Sequence, residues 1–356
     1  MEIARRSTRA VKAGNLIIGG GFPVSVQSMC NTDTRDPQST LLQIGSLAEA
    51  GCSLVRLAVP DKQAAEALRS IVPLSPVPVC ADIHFDHKLA ISSIEAGVSK
   101  VRINPGNIGS DSKVSEVVSA ASDRAVPIRI GVNSGSIAPT IARKFGRGAK
   151  ALAESALAEL SVFERLGFYD TVLSVKSSDV IETVEANRLL SSSVDYPLHL
   201  GVTEAGPSDT GLVRSSAALG ALILEGIGDT IRFSLTGDPL AEVYAGKELL
   251  TSLRLMRGLR IISCPTCGRT RGDVEGMVSE LRKGISSLGI DATVAVMGCE
   301  VNGPGEASGA DFGIACGKDT ATVFKGGEIA ARVALKDAAS YLIGIIRQAG
   351  LGEDIR

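Results

Sequence analysis

The sequence predicts an α/β protein in which a (β/α)8 TIM-like barrel is followed by a smaller α+β domain. Eight short apolar segments, centred near residues 27, 56, 82, 102, 130, 174, 200 and 232, alternate with helical patterns. Their mean spacing of about 29 residues suits a strand–helix–strand unit, and eight such units form a barrel. The pattern changes after residue 257, so we expect domains at 1–257 and 258–356. The main alternative is a doubly wound open sheet, but its Gly-x-Gly-x-x-Gly fingerprint is absent after the first strand.

Composition excludes several classes of protein. The chain has 356 residues, a formal net charge of -2 and 44% hydrophobic residues, which argues against a globally basic nucleic-acid binder. No apolar run approaches the roughly 18 residues of a membrane span, and the N-terminal region lacks the apolar stretch of a signal peptide. We therefore expect a cytoplasmic protein that binds neither nucleic acid nor membrane. The seven cysteines are then reduced thiols or metal ligands rather than disulfides.

The predicted barrel strands alternate apolar and polar residues, after an N-terminal hairpin at residues 11–18 that we expect to close the barrel bottom. The helices between strands are amphipathic, as over residues 148–166. The apolar face of each strand must meet the helices, so the polar face points into the barrel. In chain order these polar faces carry Arg56, Asp82, His84, Arg102, Arg129, Asn133, Lys176, His199, Thr203, Arg232 and Ser234.

The predicted interior is strongly cationic. Five cations, Arg56, Arg102, Arg129, Lys176 and Arg232, face only Asp82 and Glu204, which directly follows its strand. Excess buried charge is costly without a partner, and arginine forks match the oxygens of phosphate groups. We therefore expect an anion with several oxygens in the barrel. The alternative is a polar layer whose arginines are satisfied by Asp82 and backbone carbonyls.

The smaller domain begins with a strand near residues 261–267 and an amphipathic helix that starts at Val274. A strand at residues 294–297 then leads into a loop rich in glycine and proline. Strands near Phe312 and Val323 precede a final helix, predicted over about residues 329–347.

Cysteines mark a second candidate site in this domain. Cys264 and Cys267 form a Cys-x-x-Cys motif, and Cys299 lies on the glycine-rich loop after the next predicted strand. Three centres fit this spacing: a zinc ion with Cys316 as fourth ligand, a redox dithiol, or a [4Fe-4S] cluster with three thiolates. The remaining cysteines are expected to be small core residues.

Several segments carry a family resemblance across nearly the whole chain. They are residues 26–29 (VQSM), 81–85 (ADIHF), 102–109 (RINPGNIG), 131–135 (GVNSG), 199–206 (HLGVTEAG), 263–269 (SCPTCGR) and 298–306 (GCEVNGPGE). In these motifs the chain resembles the bacterial 4-hydroxy-3-methylbut-2-en-1-yl diphosphate synthases. That resemblance implies an oxidoreductase of isoprenoid biosynthesis, with a TIM-like barrel and a ferredoxin-reductase-like iron–sulfur domain.

The resemblance also implies particular roles. A [4Fe-4S] cluster would be held by Cys264, Cys267, Cys299 and Glu306. The substrate would be 2-C-methyl-D-erythritol 2,4-cyclodiphosphate. Its reduction takes two electrons, which a one-electron carrier, flavodoxin or ferredoxin, would supply. A homodimer is implied as well. Glu204 is the candidate proton donor, with Asp82 or His84 as the alternative catalytic groups. The positions that match the family's substrate site are Arg56, Arg102, Arg129, Asn133, Lys176, Thr203, Arg232 and Ser234.

Two other functions fit parts of the pattern. A barrel transferase for a pteridine diphosphate, with a zinc-stabilised appendage, would need the same basic interior but no iron. An iron–sulfur or zinc module that acts as a sensor would have no use for cations inside a barrel.

Overall fold

The computed structural model describes residues 3–285, 289–301 and 303–350 of the chain. The chain divides into two compact units, Met1–Leu250 and Thr251–Arg356. The first unit is built on an eight-stranded parallel sheet and the second on a five-stranded mixed sheet. The predicted fold class, a barrel followed by a smaller sheet domain, is therefore confirmed. Each helix in the described ranges is too short or too polar to cross a lipid bilayer.

The barrel unit begins with an antiparallel hairpin of β1 (Ala10–Ala13) and β2 (Leu16–Gly19). Val11, Ala13 and Ile18 of this hairpin pack against apolar residues near the start of three barrel strands, among them Leu54 and Cys80. The predicted hairpin is thus present, and it covers the N-terminal end of the barrel.

Eight strands line the barrel, and two more form a short parallel pair. They are β3 (Ser25–Met29), β4 (Leu54–Ala58), β5 (Val79–Asp82), β6 (Lys100–Ile103), β7 (Ile128–Asn133), β8 (Thr171–Lys176), β9 (His199–Leu200), β10 (Gly206–Pro207), β11 (Thr230–Ile231) and β12 (Leu235–Thr236). The barrel sheet runs in the order β8-β7-β6-β5-β4-β3-β11-β9, and β10 pairs with β12. A single bridge between Leu173 and Leu198 joins β8 to β9 and closes the ring.

In the described part of this unit, ten α-helices follow the barrel strands, one or two after each strand. They are α1 (Pro37–Glu49), α2 (Lys62–Ile71), α3 (His87–Glu95), α4 (Pro105–Ile108), α5 (Asp111–Asp123), α6 (Pro139–Phe145), α7 (Ala149–Arg165), α8 (Val180–Ser193), α9 (Ser208–Leu224) and α10 (Pro239–Ser252). Four of them begin directly after an aspartate whose side chain accepts a hydrogen bond from a first-turn amide: Asp36, Asp61, Asp86 and Asp179. Such N-caps satisfy amides that the helix itself leaves unpaired, so the sequence sets where these helices start.

The second unit has one sheet with helices on both faces. Its elements are β13 (Leu259–Ser263), α11 (Val274–Ile285), β14 (Ala292–Met297), α12 (Gly303–Ser308), β15 (Phe312–Cys316), β16 (Thr320–Lys325), β17 (Glu328–Ala334) and α13 (Ala338–Gly350). The strands lie in chain order, with β13, β14 and β15 parallel and the rest antiparallel. One core packs α11 and α13 against the sheet, and a smaller core packs α12 on the opposite face.

The predicted start of the final helix was wrong, because residues 328–334 form β17 rather than helix. Gly326 and Gly327 both have positive φ values, 56° and 85°, and they join β16 to β17 as a two-residue hairpin. Two consecutive left-handed residues are typical of a type I′ turn, which Gly-Gly favours. The alanines of β17 suggested helix, whereas the glycine pair was the stronger local signal.

Candidate functional site

The barrel interior is a buried cluster of charge, as the alternation of the strands predicted. Arg56, Asp82, Arg102, Arg129 and Lys176 are all buried, and Arg232 is largely so, with 15% of its side chain exposed. These residues come from six different strands or strand ends. The structure therefore brings together the five cations and the aspartate that the sequence placed inside the barrel.

Asp82 is the centre of an ion-pair network inside the barrel. Its Oδ1 accepts a hydrogen bond from Arg102 Nη1 at 3.0 Å, and its Oδ2 lies 3.5 Å from Arg56 Nε and 3.7 Å from His84 Nε2. Burial disfavours the charged carboxylate, but Arg56, the His84 hydrogen bond and Arg102 outweigh it, so the pKa of Asp82 lies well below its usual range. Asp82 is therefore an ionised anchor for two arginines.

A second anchor comes from a helix. Glu242 of α10 accepts hydrogen bonds from both Nε and Nη2 of Arg232, at 3.1 and 3.0 Å. Its carboxylate also accepts hydrogen bonds from Ser28 Oγ at 3.0 Å and from the Leu235 amide at 3.1 Å. Because the pair is bidentate and buried, it holds the Arg232 guanidinium in one orientation.

A deeper layer of the interior is polar but poorly satisfied. Lys100 is fully buried and donates a long hydrogen bond, 3.4 Å, to Gln27 Oε1, and burial lowers its pKa to about 8. Within the described residues, both ring nitrogens of His199 and the Nε and Nη1 atoms of Arg129 have no hydrogen-bond partner. Burial, then the charge of Lys176, keeps the pKa of His199 well below its usual range.

The charges in the barrel do not balance. Among the described residues, six buried or largely buried cations, the predicted five and Lys100, face two buried carboxylates, Asp82 and Glu242. A third buried carboxylate, Asp229, pairs with Arg5 instead. Asp82 and Glu242 pair with Arg56, Arg102 and Arg232, so that part of the alternative self-satisfied layer is present. Arg129 and Lys176 form no ion pair within the described ranges. Burial and the charge of neighbouring arginines lower the pKa of both groups, as expected when an anionic partner is missing.

The polar residues at the barrel mouth surround a cavity of 290 Å³. Five predicted site residues line it, namely His84, Arg102, Asn133, Thr203 and Glu204. Glu204 is exposed, and its φ of 51° is rare for a non-glycine residue. Residues with such strained backbone conformations are concentrated at functional sites. Ser234, also predicted, lies half-buried in the segment between β11 and β12.

Glycines make room for two of the cations. A Cβ atom on Gly201 would lie 2.5 Å from Lys176 Nζ and 2.7 Å from the carbonyl oxygen of Arg232. A Cβ atom on Gly131 would lie 2.6 Å from Arg102 Nε. The absence of a side chain at these positions therefore leaves the space that the Lys176 ammonium and the Arg102 guanidinium occupy.

Gly201→Ala is expected to displace the Lys176 ammonium and lower the barrel's affinity for an anion. We expect pyrophosphate binding to weaken about tenfold, equivalent to about 1.4 kcal/mol, with a loss of about 1–3 kcal/mol in unfolding free energy from overpacking. Calorimetric titration with pyrophosphate and urea unfolding measure both effects. Gly45→Ala in α1, where a Cβ meets no atom within 4 Å, should leave binding unchanged. Unchanged pyrophosphate affinity in Gly201→Ala would contradict an anion site next to the Lys176 ammonium.

Sequence reasoning missed Lys100 and Glu242. Lys100 is the first residue of β6, one position before the predicted strand, yet it shares the face of Arg102 and period-two counting one residue further back would have found it. Glu242 lies on α10 and reaches the interior across the loop, so no local pattern indicated it.

In the second unit, the cysteines follow two neighbouring strands. Cys264 comes directly after β13, and Cys299 lies two residues beyond β14, its parallel neighbour. The Cys264 amide donates to the Val296 carbonyl at 3.2 Å, and Cys264 Sγ accepts from the Gly298 amide at 3.2 Å. The carboxyl ends of two adjacent parallel strands thus bring both thiols to one edge of the sheet.

The other two predicted ligands lie on the segments that leave this edge. Cys267 is exposed, and hydrogen bonds from the backbone and side chain of Arg269 lower the pKa of its thiol. Glu306 is an exposed residue of α12. Among the residues that the structure describes, no three His, Cys, Asp or Glu side chains lie close enough together to bind a metal ion. Asn302 of the Cys299–Glu306 motif lies outside the described residues.

The donor set fits an iron–sulfur cluster by its chemistry. Thiolates are the ligands that such clusters use, and the Arg269 hydrogen bonds favour the thiolate form of Cys267. A Cβ atom on Gly298 would lie 3.2 Å from Cys264 Sγ, so glycine keeps this edge open.

Cys316, the candidate fourth zinc ligand, has a different environment. It is fully buried in the core beneath α11 and α13, with its Sγ 3.9 Å from Met277 Sδ. Burial raises the pKa of its thiol to about 11. A thiol held neutral in an apolar core is a poor metal ligand, so this placement favours a structural role.

Fold and site together define a two-unit α/β protein: a TIM barrel with an anion-deficient interior, followed by a sheet domain with cysteines at one edge. Residues 8–247 match the family model described as "GcpE TIM-barrel domain", and residues 260–348 match the one described as "GcpE protein C-terminal domain". The chain belongs to this GcpE family.

Curated relatives agree over nearly the full length. The chain is 51% identical to a 4-hydroxy-3-methylbut-2-en-1-yl diphosphate synthase (flavodoxin) of Geobacter sulfurreducens, over 97% of this chain and 98% of that protein. It is also 51% identical to the protein of the same name from Clostridium perfringens, over 96% and 99% of the two chains. Among solved structures, dihydropteroate synthase of Stenotrophomonas maltophilia aligns with a TM-score of 0.49 and 13% identity, over 67% of this chain and 96% of that chain. The family resemblance expected from the motifs is confirmed by the relatives.

Proposed function

We propose that this protein reduces 2-C-methyl-D-erythritol 2,4-cyclodiphosphate to 4-hydroxy-3-methylbut-2-enyl diphosphate in isoprenoid biosynthesis. The reaction opens the cyclic diphosphate at its bond to carbon and removes one hydroxyl group. It consumes two electrons and one proton and releases water. The proposal rests on the names of the full-length relatives, and the observation in the structure that supports it most is the excess of buried cations inside the barrel.

The diphosphate group would be the missing anion of the barrel. The Nε and Nη1 atoms of Arg129 and the Nε atom of Arg102 have no hydrogen-bond partner in the described part of the chain, so these donors are available to phosphate oxygens. Asp82 and Glu242 hold Arg56, Arg102 and Arg232 in place, and Lys176 would add an ammonium group opposite the anion. Asn133, Thr203 and Ser234 would supply further hydrogen bonds near the mouth. An anion there would raise the pKa of Lys176 back towards its usual range, because it would offset the burial and the neighbouring arginines that lower it.

Glu204 is our candidate for the group that handles the proton. It lines the 290 Å³ cavity beside Thr203 and His84, in a left-handed conformation that directs its backbone away from the regular strand path. Asp82 is held ionised by Arg56 and Arg102, so a positioning role suits it better than proton donation. His84 lies 3.2 Å from Arg102 Nη1 and remains the alternative donor.

A [4Fe-4S] cluster would be held by Cys264, Cys267, Cys299 and Glu306. When bound it would supply one-electron transfer and a Lewis-acidic iron. A carboxylate is a weaker ligand for such iron than a thiolate, so Glu306 is the ligand most readily exchanged. Cys264 and Cys299 would anchor the group at the edge formed by β13 and β14.

Flavodoxin is the electron donor that we propose, as the name of the relatives indicates. Ferredoxin is the alternative one-electron carrier. We further propose a homodimer, on the family resemblance. Cys30, Cys52 and Cys80 of the barrel unit are buried free thiols, which suits a reducing compartment such as the cytoplasm, the location that we propose.

Metal analysis followed by turnover tests this proposal. Protein purified without oxygen is expected to contain about four iron atoms and four sulfides per chain, and to convert the cyclodiphosphate when reduced flavodoxin is supplied. Stoichiometric zinc without sulfide, persisting after anaerobic reconstitution, would overturn the cluster and favour a zinc-stabilised transferase. A protein with a full cluster that neither binds nor reduces the cyclodiphosphate would favour a sensor.

A further inference from the structure

The segment between β7 and α7 presents an exposed group of cations near the barrel mouth. We call Arg143, Lys144, Arg147 and Lys150 the basic segment; all four are exposed. Arg143 and Lys144 lie on α6, a helix with no buried residue, Arg147 follows it, and Lys150 lies in the first turn of α7. The chain reaches α6 from Asn133 through residues 134–136, which line the 290 Å³ cavity, so the basic segment belongs to the C-terminal face of the barrel.

The charge of this segment is not compensated. No Asp or Glu occurs between Asp123 and Glu154 in the sequence. None of the four cations forms an ion pair within the described residues, unlike exposed Arg35 and Arg188, which pair with carboxylates at close range. Four unpaired like charges in eight residues repel one another, so an external anionic partner would stabilise the segment.

The segment also carries an aromatic group. Phe145 is half-buried, and its ring centroid lies 4.9 Å from Lys144 Nζ and 5.3 Å from Lys150 Nζ. Both ammonium groups thus make cation–π contacts with the same ring. An aromatic residue beside exposed arginines is typical of protein interfaces, where aromatic residues and arginine are enriched.

The shape of this surface favours a macromolecular partner. Small ligands bind in concave sites, and the small anion of this protein already has the buried arginines of the barrel. Exposed side chains on a helix without buried residues cannot desolvate a small molecule, but they can face a broad acidic surface. The overall net charge of -2 gives no general attraction for an acidic protein, so a local patch has to provide it.

We propose that the basic segment is the docking surface for the acidic one-electron carrier, a flavodoxin, that reduces this protein. This inference rests on the proposed function, in which flavodoxin supplies the electrons and the substrate that they reduce is bound in the barrel. Charge complementarity would speed encounter and hold the carrier, and Phe145 would add an apolar contact.

The test compares two reductants in the full-length, cluster-loaded protein. In the variant R143Q/K144Q/R147Q/K150Q, kcat/KM for flavodoxin at low ionic strength is expected to fall about tenfold or more, and its salt dependence to flatten. Turnover driven by dithionite, which needs no docking, should stay within about twofold of the wild type, and KM for the cyclodiphosphate should not change. The control K12Q/K62Q/K88Q/R124Q removes the same charge from exposed sites on separate elements and should behave as the wild type.

Each other outcome is decisive. Wild-type kinetics with flavodoxin in the basic-segment variant, or an equal loss in the control, would overturn docking here. A parallel fall with both reductants would assign the segment to substrate capture or folding instead. If the wild type reduces no cyclodiphosphate with either reductant, the proposed function fails. Titration with flavodoxin, followed by flavin fluorescence, then decides docking alone, and a competing RNA that binds more tightly than flavodoxin would overturn it.

Discussion

Arg129→Met is expected to stabilise the free protein while removing most of its affinity for the anion. Arg129 is 2% exposed, and within the described residues its Nε and Nη1 atoms have no hydrogen-bond partner. Burial, and then the charge of Arg56, lowers the pKa of its guanidinium well below the usual range. Replacing a buried, unpaired charge with an apolar side chain of similar length should raise the unfolding free energy by about 1–3 kcal/mol. Urea unfolding of the ligand-free protein measures this gain.

The same substitution should weaken pyrophosphate binding at least about 100-fold, since it removes two charge-assisted hydrogen bonds of about 1.5 kcal/mol or more each. Arg124→Met, at an exposed arginine after α5, is the matched control and should change neither quantity appreciably. A destabilised Arg129→Met protein would mean that the free barrel already satisfies this guanidinium, and the case for a missing anion would collapse.

Cys267→Ala and Cys316→Ala are expected to have opposite consequences. Cys267 is exposed, so its loss should change the unfolding free energy of the metal-free chain by less than about 0.5 kcal/mol, yet abolish cluster binding and turnover. Cys316 is fully buried beside Met277, so its truncation should cost about 1 kcal/mol or more in stability but leave the iron content unchanged.

Iron and sulfide analysis, urea unfolding and turnover distinguish the two variants. Pyrophosphate affinity should be normal in both, because the barrel interior contains neither cysteine. Loss of bound metal in Cys316→Ala, with retention in a Glu306→Gln variant, would instead identify a four-cysteine zinc site.

The barrel and its charged interior were predictable because strand geometry is local. Alternation along β4, β6 and β7 places Arg56, Arg102 and Arg129 on the interior face whatever the rest of the chain does. The partners of these residues were less predictable. Asp82 lies on the adjacent strand and was found, whereas Glu242 reaches Arg232 from a helix and required the three-dimensional structure.

Errors at the second unit have a similar cause. The segment that forms β17 has alanines with high helix propensity, and its pairing with β16 overrides that preference through the Gly326–Gly327 turn. The arrangement of the cysteines was predictable only as far as the strands that carry them. Cys264 and Cys299 follow neighbouring parallel strands. The positions of Cys267 and Glu306 depend instead on loop conformations, which sequence periodicity does not predict.

The strand order of the barrel has a consequence for its synthesis. Strands β3 to β8 pair in chain order, so each one can join a neighbour that has already left the ribosome. β9 joins the ring beside β8 in the same order, through the bridge between Leu173 and Leu198. β11 then pairs with β9 and also with β3, whose residues were made about 200 positions earlier. Until then the ring is an open sheet whose first strand has a free edge. Closure of the barrel is therefore one of the last events in making this unit, and cellular factors that shield exposed strand edges would act on it during that interval.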